Sequence, residues 1–452
     1  MQISPAPTEC ECAICALKLD FDLPPHLLRE VEHRDCVVFA GAGISTETRY
    51  THPNTFYDTL RAAVECQDTP PFPALVDRFE DQPNGRQKLI ETIVDRFSYI
   101  NGFRELRQAA TRFHDELSTM PYLKTIVTTN WDRYFEEVCD ATPFVYESDI
   151  PFWGTANRAV LKIHGSIDNY SSIVASSSDY ERCFKRLRDG AIGAVLKQLF
   201  ATKTFVFFGY SATDSDFLAI FQTIKSGLGT FARTHYLVSP FLDDSQRARL
   251  AELNIVGIKT DGAHLLSVVK QHMISRFCFA KDESYREVSE LLIQLRDLHF
   301  AFVGSYKPAE NPHLIYATVY QDGLIHALER IIDQRASGRF SDLHAVRGQI
   351  GGYRDMIANY LSKRDYWEMS YFSGYQVGLE FFDMVNMLGV EETGWPPPYF
   401  HPGSGFLSQE EYDAKIRPNP DVHKAALAQA KGILKRSGAE NAEVVQHLPW
   451  AT

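Results

Sequence analysis

The sequence lacks a long apolar run and an excess of positive charge. Its apolar stretches all fall well short of the ~20 residues that a membrane-spanning helix needs. Lys and Arg, 46 in total, are outnumbered by 58 Asp and Glu, which gives a formal net charge of -12. A protein that coats nucleic acid normally presents a basic face. These absences argue against a membrane-spanning protein and against constitutive binding of nucleic acid.

Recognisable targeting and metal-binding signals are also missing. Residues 1–15 contain neither the basic nor the apolar segment of a secretory signal, so we expect a cytoplasmic protein with reduced thiols. Three of the eight cysteines, Cys10, Cys12 and Cys15, lie close together. Zinc sites usually take two spaced pairs, and no second pair follows these three. The spacing favours free thiols over a metal site and leaves the role of this cluster open.

The chain has enough apolar residues for a substantial core, because 44% of its residues are hydrophobic and 23% are charged. Its 452 residues exceed one ordinary domain. We predict an N-terminal arm at residues 1–33 and an α/β domain at residues 34–280. A helical insertion at residues 51–120 could act as a lid over a ligand. Residues 281–452 show amphipathic patterns without strands, which predicts an all-helical C-terminal domain.

Six short apolar runs in residues 34–280 have the composition of buried β-strands, and helical patterns alternate with them. This alternation predicts a doubly wound, Rossmann-like sheet of parallel strands. The predicted strands are residues 36–40, 126–129, 160–163, 205–208, 234–238 and 255–259. In such a sheet ligands bind beyond the carboxyl ends of the strands, so polar residues that follow these runs are candidates for a site.

The first candidate is the turn Gly41-Ala42-Gly43, which directly follows the first predicted strand. Glycine lets the backbone turn tightly and lets a ligand approach main-chain N–H groups without a Cβ in the way. If a helix begins near Ser45, its free N–H groups and its dipole would face an anion such as a pyrophosphate. The alternative is a glycine turn that only connects two elements.

Three later strand ends carry further polar residues. Asn130 and Asp132 follow the second strand, where they either contact a ligand or cap the next predicted helix, residues 133–139. His164 follows the third strand; an isolated histidine is usually structural, but the adjacent Gly165 leaves room beside the ring. The fourth strand is followed by Gly209, Ser211 and Asp214. Four polar motifs at one edge of the sheet predict a ligand site there.

In this order, the segments GAGIS, TTNWD, KIHG and FFGYSATDSDF resemble the sirtuin-like NAD-binding domain. They are more similar still to the bacterial sirtuin-like NAD hydrolases of antiphage defence, over about residues 30–280. The resemblance implies that NAD is the substrate and that Asn130 and His164 are catalytic. The other residues that it assigns to NAD binding are Gly41, Ala42, Gly43, Ser45, Thr128, Asp132, Gly209, Ser211 and Asp214.

The implied chemistry suits these residue types and requires no metal. Cleavage of the nicotinamide–ribose bond builds positive charge on the ribose C1′. Asn130 can fix ribose hydroxyls or a water, because its amide both donates and accepts hydrogen bonds. His164 can take a proton from a ribose hydroxyl or from that water. With water as the acceptor, the products are nicotinamide and ADP-ribose.

Two departures from the protein-deacetylating sirtuins favour hydrolysis over deacylation. Those enzymes carry two zinc-binding cysteine pairs between the His-Gly and the later Gly-x-Ser motifs, whereas residues 165–209 contain only Cys183. They also carry a Gly-Ile-Pro-Asp-Phe-Arg-like string after the glycine turn, where this chain has residues 50–56, YTHPNTF. Protein deacylation and ADP-ribosyl transfer stay as alternatives, as does a non-catalytic subunit that senses a nucleotide.

The sequence also bears on assembly and control. Gly374 and Gly378 lie four residues apart in an aromatic-rich helical pattern, which allows either close packing within the domain or a self-association face. A constitutive NAD hydrolase would deplete the NAD of its own cell, so we expect some restraint. A homo-oligomer, a partner ATPase and a phage-derived activator are the routes of control that the sequence leaves open.

Overall fold

The computed structural model describes residues 15–48, 51–211, 218–222, 233–402, 404–416, 418 and 423–441. The chain forms two compact units, Met1–His272 and Met273–Thr452. The predicted site residue Asp214 and the cysteines Cys10 and Cys12 lie outside the described residues. Among the helices of the described ranges, none is both long enough and apolar enough to pass through a lipid bilayer.

The first unit is built on a seven-stranded sheet in which all strands are parallel. Its strands are β1 (Cys36–Ala40), β2 (Thr125–Thr128), β3 (Thr142–Phe144), β4 (Ala159–Lys162), β5 (Thr204–Phe208), β6 (His235–Val238) and β7 (Ile255–Ile258). The spatial order is β3-β4-β2-β1-β5-β6-β7. Strands β1 and β5 are buried along their whole length, as is usual for parallel sheets. The predicted doubly wound α/β fold is therefore confirmed.

The edge strand β3 is not among the predicted strands. It has only three residues and contains Pro143, which is unusual in a strand but tolerated at a sheet edge. The N–H of Thr142 donates to the carbonyl oxygen of Arg158 at 2.9 Å, on the side of β4. Because successive residues of a strand point to opposite sides, the nitrogen of Pro143 faces the open edge, where no ladder bond is lost.

The strand order changes direction at β1. The chain runs from β1 to β2, β3 and β4 on one side and then passes to β5 on the other side. Ala40, at the end of β1, lies opposite Thr128 of β2 and opposite Phe208 of β5. The turns that follow β1, β2, β4 and β5 therefore meet at one edge of the sheet. Such a switch point is where open α/β sheets bind ligands.

Helices of this unit pack around the sheet and form the insertion between β1 and β2. They include α1 (Pro25–Glu32), α2 (Phe56–Ala63), α3 (Phe72–Glu80), α4 (Gly85–Gly102), α5 (Arg104–Ser118), α6 (Tyr134–Cys139), α7 (Ser177–Asp189), α8 (Ala191–Thr202), α9 (Asp244–Glu252) and α10 (Gly262–Ser275). Helix α3 lies where repeated prolines predict only breaks. Pro71 caps it and Pro73 lies in its first turn, where a helix does not need the N–H groups that proline lacks.

The α-helix that the sequence permits near Ser45, with its N–H groups facing an anion, is not formed. Ala42–Ile44 form a short 3-10 helix, and Ser45 has φ -133° and ψ -98°, outside the α-helical region. In the described part of the loop that follows, no α-helix begins before α2 at Phe56. The N–H groups of this turn are therefore not gathered at the end of an α-helix, so the turn itself does not supply a helix dipole to a ligand.

The second unit is mainly helical. Its helices are α11 (Asp282–Ser305), α12 (Ile315–Asp333), α13 (Leu343–Ser362), α14 (Tyr366–Leu388), α15 (Val390–Thr393), α16 (Gln409–Lys415) and α17 (Lys424–Arg436). The expectation of an all-helical domain is wrong in one place, because β8 (Tyr399–His401) and β9 (Ser404–Phe406) form an antiparallel pair. A side chain on Gly374 would overlap the carbonyl of Tyr320, so this glycine packs α14 closely against α12 within the unit.

Candidate active site

A cavity of about 560 Å³, here called the inner cavity, lies at the carboxyl edge of the sheet beside the insertion helices. Asn130, Asp132 and His164 line it together, so the fold brings these three predicted residues to one place. Much of the remaining wall is aromatic. The aromatic residues on it include Phe56, Tyr57, Phe72, Phe97, Trp131 and Tyr180.

A second cavity of about 270 Å³, here called the adjoining cavity, meets the inner cavity at the turns after β1 and β5. The lining residues that the two cavities share are Gly43, Glu47, Gly209 and Tyr210. Of the other predicted residues, Ser211 lines the adjoining cavity and Ala42 the inner one. Gly41, Ser45 and Thr128 are described by the structure but line neither cavity.

Asn130 is held in one orientation by its neighbours. Its Nδ2 donates to the carbonyl oxygen of Gly41 and to Ser45 Oγ, both at 3.2 Å, and its main-chain N–H donates to Thr128 Oγ1 at 3.0 Å. The Thr128 hydroxyl in turn donates to the carbonyl oxygen of Ala40 at 2.9 Å, which is a structural role. A carbonyl oxygen can only accept, so the amide nitrogen must face Gly41. The amide Oδ1 is buried and has no hydrogen-bond partner within the described chain.

His164 follows β4, and its ring packs edge-on against Tyr180 with centroids 5.1 Å apart. Its Nε2 is buried and has no hydrogen-bond partner among the described residues. Burial, together with the positive charge of Arg186, lowers the pKa of His164 to about 3, so the imidazole is neutral at neutral pH. Gly165 has a φ of +87°, and a side chain there would overlap Ser172. This glycine therefore serves the turn and not, as expected, the space beside the ring.

Asp132 both binds the first N–H group of a helix and lines the inner cavity. Its Oδ1 accepts from the N–H of Tyr134, the first residue of α6, at 3.1 Å. Its Oδ2 accepts from Ser45 Oγ at 2.9 Å. Burial raises the pKa of Asp132, and the charge of Lys162 opposes this effect. The two interpretations that the sequence left open for Asp132 are therefore compatible with each other.

The three glycines of the turns after β1 and β5 are required for these turns to approach each other. A Cβ on Gly43 would lie 2.8 Å from the carbonyl oxygen of Gly209. Gly209 has a φ of +73°, and a Cβ on it would lie 2.6 Å from the carbonyl oxygen of Gly41. The absent side chains thus make room for main chain and not, as the glycine pattern predicts, for a ligand.

Arg96 and Glu47 also line the inner cavity, although neither belongs to a motif that the sequence singles out. The two side chains are 6% and 23% exposed and form an ion pair of 2.8 Å. Arg96 lies on the buried face of α4 with Leu89, Ile93 and Ile100. A charged residue in such an apolar stripe is the signal that could have identified it, because a buried charge needs a partner.

Helix α7 occupies the segment in which deacetylating sirtuins carry their zinc-binding cysteines. Its Cys183 is buried, and the thiol donates to the carbonyl oxygen of Ile163 at 3.5 Å. Burial raises the pKa of the Cys183 thiol, which disfavours the thiolate form that binds metals. Across the described ranges, His, Cys, Asp and Glu side chains do not assemble into a group of three or more that could hold a metal ion.

Residues 124–259 match the family described as the SIR2-like domain. This segment includes β2, β4 and β5, and with them Asn130, His164 and Gly209. The chain is also 28% identical over 219 residues to the NAD(+) hydrolase ThsA of Cytobacillus dafuensis. That match covers 46% of this chain and 42% of the relative.

Two further relatives show a similar degree of likeness. The chain is 26% identical over 216 residues to the NAD(+) hydrolase ThsA of Enterococcus faecium and 25% identical over 217 residues to that of Bacillus cereus (strain MSX-D12). Each match covers 46% of this chain and 44% of the relative. The chain thus spans less than half the length of the curated relatives that it matches. Residues 124–259 are therefore a SIR2-like domain, and the chain is a distant homologue of the ThsA NAD(+) hydrolases.

Proposed function

We propose that this chain is an NAD glycohydrolase, which cleaves NAD into nicotinamide and ADP-ribose. One observation carries the proposal: within the described chain, the buried atoms Asn130 Oδ1 and His164 Nε2 lack hydrogen-bond partners, and both residues line the inner cavity. Buried polar atoms are nearly always paired, so two such atoms at one cavity favour a ligand that pairs with them. The distant relatives, which are named NAD(+) hydrolases, make NAD the first ligand to test.

The two cavities suit the two halves of NAD. The nicotinamide ribose would lie beside Asn130 and His164, and the nicotinamide ring would lie against the aromatic wall of the inner cavity. Trp131 Nε1 is a third buried polar atom without a partner among the described residues, and it could donate to the carboxamide oxygen. The phosphates would pass Gly43 and Gly209, and the adenosine would occupy the adjoining cavity.

Asn130 would act by positioning. Its Oδ1 would accept a hydrogen bond from a ribose hydroxyl or from the attacking water and hold that group near C1′, where positive charge develops. Because the bonds from Nδ2 to Gly41 and Ser45 already fix the amide, little reorganisation is needed when the glycosidic bond breaks. Attack by water then gives ADP-ribose and releases nicotinamide.

His164 would act in its neutral form. An imidazole can accept a proton at Nε2 only when that nitrogen carries none, and the lowered pKa of His164 favours this state. In the free protein the ring is a weak base. Protonation of His164 would become more favourable as the positively charged nicotinamide of NAD leaves as a neutral molecule, because a nearby positive charge that destabilises imidazolium is then lost. His164 could then take a proton from a ribose hydroxyl or from water.

The cellular role that we propose is depletion of NAD as an effector of bacterial antiphage defence. Such an activity needs restraint in an uninfected cell, because NAD is shared by central metabolism. Assembly into a homo-oligomer, a partner ATPase or a phage-derived activator would each supply that restraint, and we propose homo-oligomer formation as the first to examine.

Incubation of the purified chain with NAD, followed by chromatography of the products, tests the proposed activity. We expect equal amounts of nicotinamide and ADP-ribose without any added peptide. Release that requires an acetylated peptide would indicate deacylation instead, and transfer of labelled ADP-ribose to protein would indicate ADP-ribosyl transfer. Binding of NAD without turnover would favour the nucleotide-sensing alternative.

A further inference from the structure

Arg96 connects the helical insertion to the loop that follows β1. From α4, its Nη1 donates to the carbonyl oxygen of Asn54 and its Nη2 to that of Thr46, both at 3.0 Å. The Nη2 atom also pairs with Glu47 Oε1 at 2.8 Å. One guanidinium group therefore contacts Thr46, Glu47 and Asn54 together.

Glu47 ties the same loop to helix α2. Its Oε2 accepts from the N–H of Phe56, the first residue of α2, at 3.1 Å. Burial raises the pKa of Glu47 and lowers that of Arg96, so each charge depends on its partner. A buried ion pair is weak evidence for stability, because the cost of removing both charges from water offsets much of their attraction. This pair lines the inner cavity, which indicates a role for it there.

Ser45, at the start of this loop, contacts the proposed catalytic residue Asn130. Thr46, whose carbonyl Arg96 holds, follows Ser45, and the Ser45 side chain is fully buried. Ser45 Oγ accepts from Asn130 Nδ2 at 3.2 Å and donates to Asp132 Oδ2 at 2.9 Å. Arg96 is therefore hydrogen-bonded to Thr46, and Ser45 is hydrogen-bonded to the amide of Asn130. The peptide bond between Ser45 and Thr46 joins these two contacts.

We infer that Arg96 is a positioning residue that clamps residues 45–48 and 51–55 beside the inner cavity and so sets the orientation of Asn130 through Ser45. The inference rests on the proposed function and gives the helical insertion a part in it. A displacement of about 1 Å in an active site can lower the rate by roughly a hundredfold. Loss of the clamp therefore lowers kcat while the contacts that bind the rest of NAD persist.

Three variants and one control separate this role from a purely structural one. Arg96→Met removes the clamp. Arg96→Lys keeps the charge, but a single ammonium group cannot reproduce the planar arrangement of two donating nitrogens in a guanidinium group. The double variant Arg96→Met/Glu47→Gln removes the clamp without leaving a carboxylate buried alone, which protects the fold. Arg78→Met is the matched control, because Arg78 lies on α3 of the same insertion in an exposed ion pair with Asp68.

We expect kcat for nicotinamide release to fall by roughly ten- to a hundredfold in Arg96→Met and in the double variant, with little change in KM. Arg96→Lys should be intermediate and Arg78→Met unchanged. Amide hydrogen exchange of Thr51, His52, Asn54 and Thr55 in the free protein should be faster in the Arg96 variants only. A folded double variant with wild-type kcat overturns the inference and leaves the proposed function standing. An inactive wild type overturns the proposed function instead, and unchanged exchange in Arg96→Met rejects the clamp whatever the activity.

Discussion

The main-chain N–H of Gly43 donates to the carbonyl oxygen of Gly209 at a distance of 3.2 Å. This bond joins the turn after β1 to the turn after β5, at the place where the two cavities meet. The two main chains can approach this closely only because neither residue has a Cβ. A glycine pattern that resembles a phosphate-binding turn is therefore, in the first place, a packing element.

We expect Gly43→Ala to lower the free energy of unfolding by about 1–3 kcal/mol, because the added methyl group would push the two turns apart. Denaturant titration of the purified variant measures this change. Gly102→Ala is the matched control, since a Cβ at Gly102 has no neighbouring atom within 4 Å. Equal stability of the two variants would show that the turns do not need their glycines.

We expect Asn130→Ala and His164→Ala to lose turnover while keeping most of their affinity for NAD. The loss for His164→Ala should be on the order of 10²- to 10⁴-fold in kcat, because the proton acceptor is gone. The double variant should be scarcely worse than the poorer single one, since residues that act as a unit are not additive. Initial rates give the turnover, and calorimetry gives the affinity.

Melting temperatures of the same variants provide the control. If Asn130 and His164 were only a structural amide and a packed ring, their substitution would lower the melting temperature while the folded fraction kept its activity. Normal turnover in a well-folded His164→Ala protein would end the hydrolase proposal in its present form.

We expect the protein to lose stability as the pH falls below about 6.5, the pKa of histidine in an unfolded chain. Burial lowers the pKa of His114, His164 and His401 to about 3 in the folded protein. Between these values the unfolded chain binds protons that the folded chain does not. As the pH falls from about 6.5 towards 3, protonation of each histidine in the unfolded chain therefore lowers the free energy of unfolding by about 1.4 kcal/mol per pH unit. Above about pH 6.5 the stability is not reduced by this effect.

His114→Phe tests this pH dependence, because the ring of His114 already packs against Phe113, Tyr134 and Phe135. Between about pH 6.5 and pH 5 the free energy of unfolding should fall less in the variant than in the wild type. The difference should be about 1.4 kcal/mol per pH unit, which is the effect of one proton. Urea denaturation at several pH values measures both slopes. Identical slopes would mean that His114 is not held neutral in the folded protein.

We expect exhaustive chelation to leave NAD turnover unchanged, because the proposed chemistry uses Asn130, His164 and water. Activity measured before and after treatment with a strong chelator gives the comparison. A loss that added zinc restores would contradict the expectation. It would turn attention to Cys10, Cys12 and Cys15, the only close group of cysteines in the sequence.

The position of the site could be predicted because parallel strands end at the same edge of a sheet, whatever the details of their packing. Runs of β-branched and aromatic residues indicated six of the seven strands, and Asn130 and His164 follow two of them directly. Strand β3 is too short for this signal and contains Pro143. Helix α3 was hidden by prolines that a first helical turn accommodates.

The features that could not be predicted depend on contacts between segments that are distant in the sequence. The role of Gly43 follows from Gly209, which lies at the end of another strand. The local pattern at Ser45 permits an α-helix, but the chain forms a short 3-10 helix at Ala42–Ile44 instead. Arg96 acquires its role only when α4 packs against the loop after β1.

Pro143 also affects how copies of this chain can come together. Its nitrogen faces the open edge of β3 and carries no hydrogen, so this edge cannot present an unbroken row of donors to a strand from another molecule. Extension of the sheet across β3, from one copy into the next, is therefore disfavoured. At this side of the molecule, a homo-oligomer would instead have to form through the side chains of helices and loops. The sheet of each copy would then end at its own β3.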